Sequence, residues 1–275
     1  AGEDLAQVLA PEGHGVRVLE GAELTLDMRH AVSADIVVPN VVGMLEGSDP
    51  ELRDQAVVYV AHMDHVGVAA DGRCGVVGAD SVCKGANDNA SGTIGVIEVA
   101  EAFASLQPRP RRTTIFVAVA AEERGLLGAY HYTEHPAIPI ERTVAAINFD
   151  MLVRNAPDSI ILVAKSYSSL GPLADRMAAD HPELNVVPAN DPAIHDFVFQ
   201  SSDHYPFAVA GVPVLFFFSG MHDDLHGPTD DPGRADCDKG ARVARLAFYI
   251  GLEVANADER PTWDPDARAR VVQHE

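Results

Sequence analysis

The sequence is poor in long apolar runs and in positive charge. Its longest apolar run, residues 212–218, is only as long as a strand and contains a proline, whereas a membrane-spanning helix needs about 20 apolar residues. The 275 residues include 20 Lys and Arg against 41 Asp and Glu, which gives a net charge of −21. Such a chain repels phosphate backbones and anionic lipid surfaces. We therefore expect neither a membrane span nor a nucleic-acid partner.

Cysteine is also scarce. The three cysteines, Cys74, Cys83 and Cys237, have neither the C-x-x-C spacing of a zinc knuckle nor the density of a disulfide scaffold. Cys74 and Cys83 lie close enough in one glycine-rich loop to form a local bridge, and the redox compartment stays open. The start of the sequence shows no basic and apolar leader pattern, so a secretory signal is not visible.

Short apolar runs alternate with segments of helical periodicity. The predicted strands cover residues 57–61, 114–120, 144–149, 160–163 and 213–218, and the predicted helices cover residues 91–106, 126–134, 170–180 and 240–256. These strands are near-continuous in apolar residues, as central strands covered on both faces are. The first helix places Ile94, Ile97, Ala100 or Glu101, and Ala104 at helical spacing, as an amphipathic helix does. The pattern predicts an α/β fold with a mostly parallel sheet.

A single domain spanning residues 1–275 is the predicted organisation. The chain is 47% hydrophobic and long enough to bury one substantial core. We divide it into an N-terminal edge segment (1–34), a core (35–256) and a C-terminal tail (257–275). Strand-like runs at residues 24–28 and 36–42 suggest an antiparallel edge hairpin. The tail is polar and contains Pro261 and Pro265, so we expect a surface strap or partial disorder there.

Polar residues collect where the predicted strands end, which is where ligands bind in open α/β sheets. The residues that follow a strand or open the long helix are His62, Asp64, His65, Asp88, Glu122, Glu123, Asp150 and His226. Most of them have a structural explanation when taken alone. A lone histidine is more often simply hydrogen-bonded, Asp88 could cap a helix, and the glutamates could be solvated at a helix start. Asp150 is harder to explain, because an unpaired carboxylate after a buried strand is costly without a cation or donors.

Taken together, these side chains have the composition that zinc prefers, imidazole nitrogen and carboxylate oxygen. Two ions about 3.5–4 Å apart need an anion that touches both, and Asp88, on a short loop flanked by glycines, is the natural bridge. We predict that one ion takes His62 and Asp150 and that the other takes Glu123 and His226. The open positions are left for water.

Two further residues are predicted to be catalytic. If Glu123 binds metal, its neighbour Glu122 can stay unligated, accept the proton of a metal-bound water and later donate it to the leaving amine. Asp64, two residues after His62 in an extended segment, points to the same side and could orient that imidazole.

Five motifs occur in a fixed order along the chain. They are His-x-Asp (62–64), Gly-Ala-Asn-Asp-Asn-Ala-Ser-Gly (85–92), Glu-Glu (122–123), Asn-Phe-Asp-Met (148–151) and His-Gly-Pro-Thr-Asp (226–230). Over roughly residues 35–250, this order resembles the M28 family of co-catalytic zinc aminopeptidases and carboxypeptidases.

The resemblance implies a phosphorylase-like, three-layer α/β/α fold with a mixed, mostly parallel central sheet. It also implies peptide substrates attacked at a chain end, and a secreted or periplasmic protein. In that family the matching positions bind two zinc ions and supply the general base. The positions that match the metal ligands are His62, Asp88, Glu123, Asp150 and His226.

Three features depart from the family pattern. Leu225 precedes the last metal histidine, where family aminopeptidases often have a tyrosine that helps to hold the oxyanion, so the oxyanion donor is unassigned. Cys74 and Cys83 occupy a loop that more often ends in a Tyr-Asn pair. No protease-associated insert domain is expected.

Several functions compete. The leading hypothesis is a dinuclear zinc aminopeptidase, and the alternative is a single-zinc glutaminyl cyclase of the same fold. A non-catalytic binding domain is less favoured because no ligand position is lost. A serine hydrolase is poorly supported because no G-x-S-x-G motif occurs, and Ser202, Asp203 and His204 are merely neighbours in sequence.

Side-chain specificity, the choice between amino-, carboxy- and dipeptidase modes, and the oligomeric state are not readable from the sequence. Six side chains could line a hydrophobic subsite, although aromatics after a buried strand are more often core. We expect Phe216 and Phe218 at least to belong to the core. The six are Phe197, Phe199, Phe216, Phe217, Phe218 and Met221.

Overall fold

The structure, a computed structural model, describes residues 36–273. The segment Val38–Glu275 forms a compact unit. The predicted edge segment 1–34 and the strand-like run at 24–28 lie outside the described residues. The assignment of residues 1–275 to one domain therefore stays a prediction.

A seven-stranded sheet forms the centre of the fold, with strand order β1-β3-β2-β4-β7-β5-β6. β1 runs antiparallel to β3, and β5 runs antiparallel to β7, whereas the remaining neighbours are parallel. The predicted mixed, mostly parallel sheet is confirmed. The strands are β1 (Val41–Leu45), β2 (Ala56–His62), β3 (Thr113–Val119), β4 (Thr143–Phe149), β5 (Ser159–Val163), β6 (Val187–Ala189) and β7 (Val214–Phe218).

Helices cover both faces of this sheet. Alternate residues of β2 face opposite sides, so that Tyr59 packs in one hydrophobic core and Val58 in the other. Helices α1, α3 and α6 contribute to the Tyr59 side, and α2, α5 and α7 to the Val58 side. The predicted three-layer α/β/α fold is thus confirmed. The helices are α1 (Gly92–Ala104), α2 (Leu127–Glu134), α3 (Leu170–Asp180), α4 (Pro192–Val198), α5 (His204–Val209), α6 (Cys237–Asn256) and α7 (Pro265–Gln273).

The predicted core face of α1 is wrong. Ile94 and Ile97 are 56% and 52% exposed. Both faces of this helix carry apolar residues, but only the face with Gly95 packs closely on the sheet. A Cβ at Gly95 would lie 2.9 Å from a ring carbon of Phe149. The glycine face can therefore approach the sheet closely, and the larger residues beside it become core. The buried apolar side chains of α1 are Val96, Val99 and Phe103.

The C-terminal tail also differs from its prediction. Instead of a surface strap, it forms helix α7, in which Ala267 and Val271 are buried. These residues are four apart and lie on one helical face. The Trp263 indole N–H donates to the carbonyl oxygen of Gly211 at 2.9 Å, which ties the start of the tail to the core.

Candidate metal centre

The site lies where three adjacent parallel strands end. β2, β3 and β4 are neighbours in the sheet, and the last residue of β2, His62, is in register with Val119 at the end of β3. Because parallel strands place their carboxyl ends at the same edge, the residues that follow β3 and β4 lie beside His62. The structure thereby brings the separate motifs of the sequence to one place.

The first group of ligand atoms surrounds the imidazole of His62. Its Nε2 lies 3.4 Å from Asp88 Oδ1 and 3.4 Å from Asp150 Oδ1. All three side chains are buried and could hold a metal ion. Among residues 36–273, neither His62 Nε2 nor Asp150 Oδ1 has a hydrogen-bond partner. Zinc bonds of about 2.0–2.2 Å at tetrahedral angles separate ligand atoms by about 3.3–3.6 Å. The spacing and the unpartnered atoms fit a zinc ion.

The second group uses the other oxygen of the same aspartate. His226 Nε2 lies 3.1 Å from Asp88 Oδ2 and 3.3 Å from Glu123 Oε2. His65 joins them, with its Nδ1 3.1 Å from Glu123 Oε1 and 3.7 Å from Asp88 Oδ2. Asp88 therefore faces one group with each oxygen, which is the arrangement that a bridging ligand needs.

All five residues predicted as metal ligands lie together here, and His65 lies among them without having been assigned a role. The sequence signal for it was its place three residues after His62, beyond the same strand end.

Asp64 connects the two halves of the site, but differently from the prediction. The closest partner of His62 Nδ1 is the backbone carbonyl oxygen of Asp64, at 3.1 Å, whereas the Asp64 carboxylate is 3.9 Å away. That carboxylate accepts hydrogen bonds from the backbone N–H groups of Glu122 (3.1 Å) and Glu123 (3.3 Å). Asp64 thus holds the imidazole with its backbone and the glutamate turn with its side chain.

Asp230 anchors the loop that carries Asp88. It is completely buried, and its carboxylate accepts hydrogen bonds from the backbone N–H groups of Asn87 and Asp88 at 3.0 Å. Asp230 is the last residue of the fifth sequence motif, where it had no predicted role. Its role could not be predicted from the sequence, because the backbone N–H groups that it binds lie more than 140 residues earlier in the chain.

Ser202 positions Asp150. Its hydroxyl donates to Asp150 Oδ2 at 2.8 Å and accepts from the Asn148 side-chain amide at 2.7 Å. One carboxylate oxygen of Asp150 is therefore held, while the other faces His62. The hydroxyl makes these bonds with Asp150 and Asn148, so among the described residues Ser202 does not form a serine triad with Asp203 and His204.

The electrostatics of the site reflect crowded carboxylates. Burial raises the pKa of Glu122 to about 9, although His62 opposes the shift. Burial also acts to raise the pKa of Glu123, but the imidazoles of His226 and then His65 outweigh it and lower that pKa to about 2. Asp88 and Glu123 raise the pKa of His226 to about 10. The cluster thus has an excess of negative charge, which a divalent cation would neutralise.

An apolar pocket of about 360 Å³ opens beside the ligand groups. Phe216 and Phe218 are 2% exposed, in agreement with their predicted place in the core, and they also line this pocket. Leu225 faces the pocket too, in the position before His226. One wall of the site is therefore polar and the other is apolar. Further apolar lining comes from Leu126, Met151, Phe197, Val198 and Met221.

Cys74 and Cys83 form a disulfide bond. The bridged loop lies against the second ligand group, because Arg73 donates to the backbone carbonyl oxygen of Glu123 and the Gly75 N–H donates to that of His226 at 3.3 Å. The bridge that the sequence suggested thus closes a loop beside the site. Cys237 is a free, exposed thiol.

Within residues 36–273, no helix combines the length and the apolar character that crossing a membrane requires.

A family model and curated relatives both relate this chain to one peptidase family. The model of "Peptidase family M28" matches residues 40–251. Aminopeptidase YwaD of Bacillus subtilis is 28% identical over 233 residues, which cover 81% of this chain and 46% of that protein. This chain therefore spans less than half of that relative.

Two solved structures share the fold. The zinc aminopeptidase BSAP from Bacillus subtilis superposes with a TM-score of 0.63 at 21% identity, covering 80% of this chain and 51% of that one. Porphyromonas gingivalis glutaminyl cyclase gives 0.61 at 18%, covering 77% and 76%. At these identities the structures support the fold alone, whereas the family match extends over most of the sequence. The chain belongs to peptidase family M28.

Proposed function

We propose that this chain is a zinc-dependent exopeptidase, an aminopeptidase that removes N-terminal residues from peptides at a two-zinc site. The observation that carries the proposal is the position of Asp88, whose two oxygens face two different groups of ligand atoms. Its relative YwaD is named an aminopeptidase, which supports the same function here.

The side chains divide between the two ions. His62 and Asp150 would hold the first ion, and Glu123 and His226 the second, with Asp88 shared. When bound, zinc would polarise the scissile carbonyl group and make a nearby water more acidic.

Glu122 would move the proton. Its Oε2 lies 3.9 Å from His62 Nε2, next to the first group of ligand atoms. A carboxylate in that position can take a proton from the attacking water and return it to the leaving amine. Burial raises the pKa of Glu122 to about 9 in the metal-free site, and the positive charge of bound zinc would lower it, so that the carboxylate form is available to accept the proton. Asp64 keeps the Glu122 backbone in place through the N–H bond at 3.1 Å.

The pocket supports an apolar side chain on the substrate. Its aromatic and aliphatic wall lies next to Asp88, Glu122 and Asp150, so a residue placed in the pocket would have its carbonyl group near the ligand atoms. Leu225 offers no hydrogen-bond donor there, so the side chain at this position would contribute only contact with an apolar substrate group.

The disulfide supports an exported protein. Cys74 and Cys83 are bridged, and such bonds persist in oxidising compartments. We therefore extend the proposal to a secreted or periplasmic location.

Metal content and substrate range test the function. The purified protein should contain two zinc ions per chain by mass spectrometry, cleave leucine anilide, and leave the same compound with a blocked amine intact. A chelator should abolish turnover and added zinc should restore it. A single tightly bound zinc, together with cyclisation of N-terminal glutaminyl peptides, would instead indicate the cyclase alternative.

The base is tested by Glu122→Gln, which removes the proton acceptor and keeps the shape. We expect kcat to fall by about 10²–10⁴ with both zinc ions retained. The matched control is Glu259→Gln, the same change at an exposed position, which should leave kcat unchanged. A fully active Glu122→Gln protein that still holds two zinc ions would overturn the mechanism.

A further inference from the structure

His65 has no role in the two-ion scheme, yet its surroundings are unusual. The side chain is only 12% exposed, and neither ring nitrogen has a hydrogen-bond partner in the part of the chain that the structure describes. A buried polar atom left unpaired is destabilising, so such atoms usually have a partner. Within the described residues the imidazole thus has charged neighbours, Glu123 and Asp88, but no hydrogen-bond partner.

The position of the ring is fixed by the loop that carries Asp88. Gly85 begins this loop with φ +64°, and a Cβ there would lie 2.8 Å from His65 Cγ. The absence of that Cβ lets the ring pack directly against the loop. His65 also meets the His226 ring edge to face, with centroids 5.7 Å apart. The two imidazoles thus approach the second ligand group from different directions.

The distances within this group fit ligands of one ion. His65 Nδ1 lies 3.1 Å from Glu123 Oε1 and 3.7 Å from Asp88 Oδ2. His226 Nε2 lies 3.3 Å from the other oxygen of Glu123, Oε2, and 3.1 Å from Asp88 Oδ2. These values bracket the separation of about 3.3–3.6 Å expected around tetrahedral zinc. His65 Nδ1 and Glu123 Oε1 lie only 3.1 Å apart, but within the described residues neither atom makes a well-oriented hydrogen bond.

We propose that His65 is a direct zinc ligand through Nδ1. This inference rests on the two-zinc function proposed above and assigns a residue which that scheme left unused. The second ion then has four protein ligands, and the first ion has three. The ligands of the second ion are His65, His226, Asp88 and Glu123, and those of the first are His62, Asp88 and Asp150.

The two ions consequently have different tasks. Sites with four protein ligands hold zinc tightly and serve structure, whereas sites with three keep a position open for water or substrate. When bound, the second ion would therefore be held more tightly, and the first would exchange more readily and leave a position open for water or substrate. Zinc should bind to the metal-free protein in two separated steps, the tighter at the His65 group.

The rival role for His65 is to orient Glu123 without touching metal. Two variants separate the roles. His65→Ala removes any contact, whereas His65→Gln keeps a side chain that can donate a hydrogen bond to Glu123 but binds zinc poorly. The matched control is His131→Ala, which removes an exposed imidazole from α2.

Competition between the metal-free protein and a chelating dye for zinc alone measures both binding steps. We expect His65→Ala and His65→Gln to weaken the tighter step by more than about 100-fold, beyond the 10–100-fold loss typical of residues that only orient a ligand. His131→Ala should match the wild type. Wild-type affinity in His65→Ala, or recovery in His65→Gln, would overturn the assignment of His65 while leaving the two-zinc function intact.

A measurement on the wild-type protein removes any dependence on variant folding. In the cadmium-113-loaded, nitrogen-15-labelled protein, NMR should show a cadmium–nitrogen coupling at His65 Nδ1. Two bound cadmium ions without this coupling would refute His65 as a ligand. Fewer than two bound ions would refute the two-metal function as well.

Discussion

Replacing Asp230 with alanine should release the loop that carries Asp88. The Asp230 carboxylate is 0% exposed and accepts hydrogen bonds at 3.0 Å from the backbone N–H groups of Asn87 and Asp88. Its backbone oxygen also accepts from the Ala86 N–H at 3.2 Å, and alanine keeps that bond. The substitution therefore removes the side-chain anchor and leaves the backbone contact in place.

The size of the effect follows from these two bonds. A hydrogen bond to a charged acceptor contributes about 1.5–3 kcal/mol, so two bonds contribute roughly 3–6 kcal/mol. Removing a buried charge recovers part of its desolvation cost. Arg154 lies 3.9 Å from Asp230 Oδ1 and loses this neighbour, but it keeps Asp224. We expect Asp230→Ala to lower the free energy of unfolding by about 3 kcal/mol, at the lower end of that range.

Asp230→Asn separates charge from geometry. Both backbone N–H groups lie 3.0 Å from Oδ2, so a single amide oxygen in that place could accept both bonds. Neutral hydrogen bonds contribute about 0.5–1.5 kcal/mol each, and the asparagine variant should therefore fall between the wild type and the alanine variant in stability.

Urea unfolding of the metal-free protein at neutral pH, followed by circular dichroism, measures this series. The control is Asp223→Ala, the same change at an exposed position in the same loop, which should stay within about 0.5 kcal/mol of the wild type. If Asp230→Ala were as stable as Asp223→Ala, the anchoring role of Asp230 would be wrong. Zinc titration of the alanine variant should also show weaker binding, because Asp88 would no longer be held.

Two further predictions concern the core of the fold. A Cβ at Gly251 would lie 1.8 Å from the hydroxyl oxygen of buried Tyr59, so Gly251→Ala should lower the free energy of unfolding by about 1–3 kcal/mol. Because Tyr59→Phe removes that hydroxyl, urea unfolding should show a smaller loss for Gly251→Ala in the Tyr59→Phe protein. Equal losses in both backgrounds would contradict the clash. Burial lowers the pKa of Lys239, whose ammonium donates to the Arg154 carbonyl oxygen, to about 8. In the unfolded chain Lys239 keeps its proton up to about pH 10.5, so the unfolded state binds more protons than the folded state between pH 8 and pH 10.5. As the pH rises through this range, the free energy of unfolding of the wild type should therefore increase by about 3 kcal/mol relative to that of Lys239→Met. Parallel stability profiles of the two proteins against pH would exclude the pKa shift.

The strands and the fold class were predictable because buried parallel strands leave continuous apolar runs. β4 was predicted at residues 144–149 and occupies Thr143–Phe149, and α3 has its predicted bounds, Leu170–Asp180. The core face of α1 was not predictable from periodicity, since apolar residues occur on both faces. The close packing of Gly95 against Phe149 determines which face is buried, and that contact exists only in the folded chain.

The candidate site also has a part that the sequence predicted and a part that it did not. Residue types at strand ends were enough to single out His62, Asp150 and the glutamate pair, because parallel strands end at one edge of the sheet. The actual contacts of Asp64 were missed, since sequence spacing gives the direction of a side chain but not which of its atoms is nearest. Its backbone oxygen holds His62, and its carboxylate holds the turn at Glu122.

The sequence by itself determined the α/β fold, the order of the motifs and the chemical character of the site, because these depend on local periodicity and residue type. Only the tertiary structure decided that Asp88 faces a different group with each oxygen, that His65 lies in the second group, and that Asp230 anchors the loop. The Asp230 contact joins residues 142 positions apart. Distances across such separations are set by how strands and loops pack, and no short sequence pattern contains them.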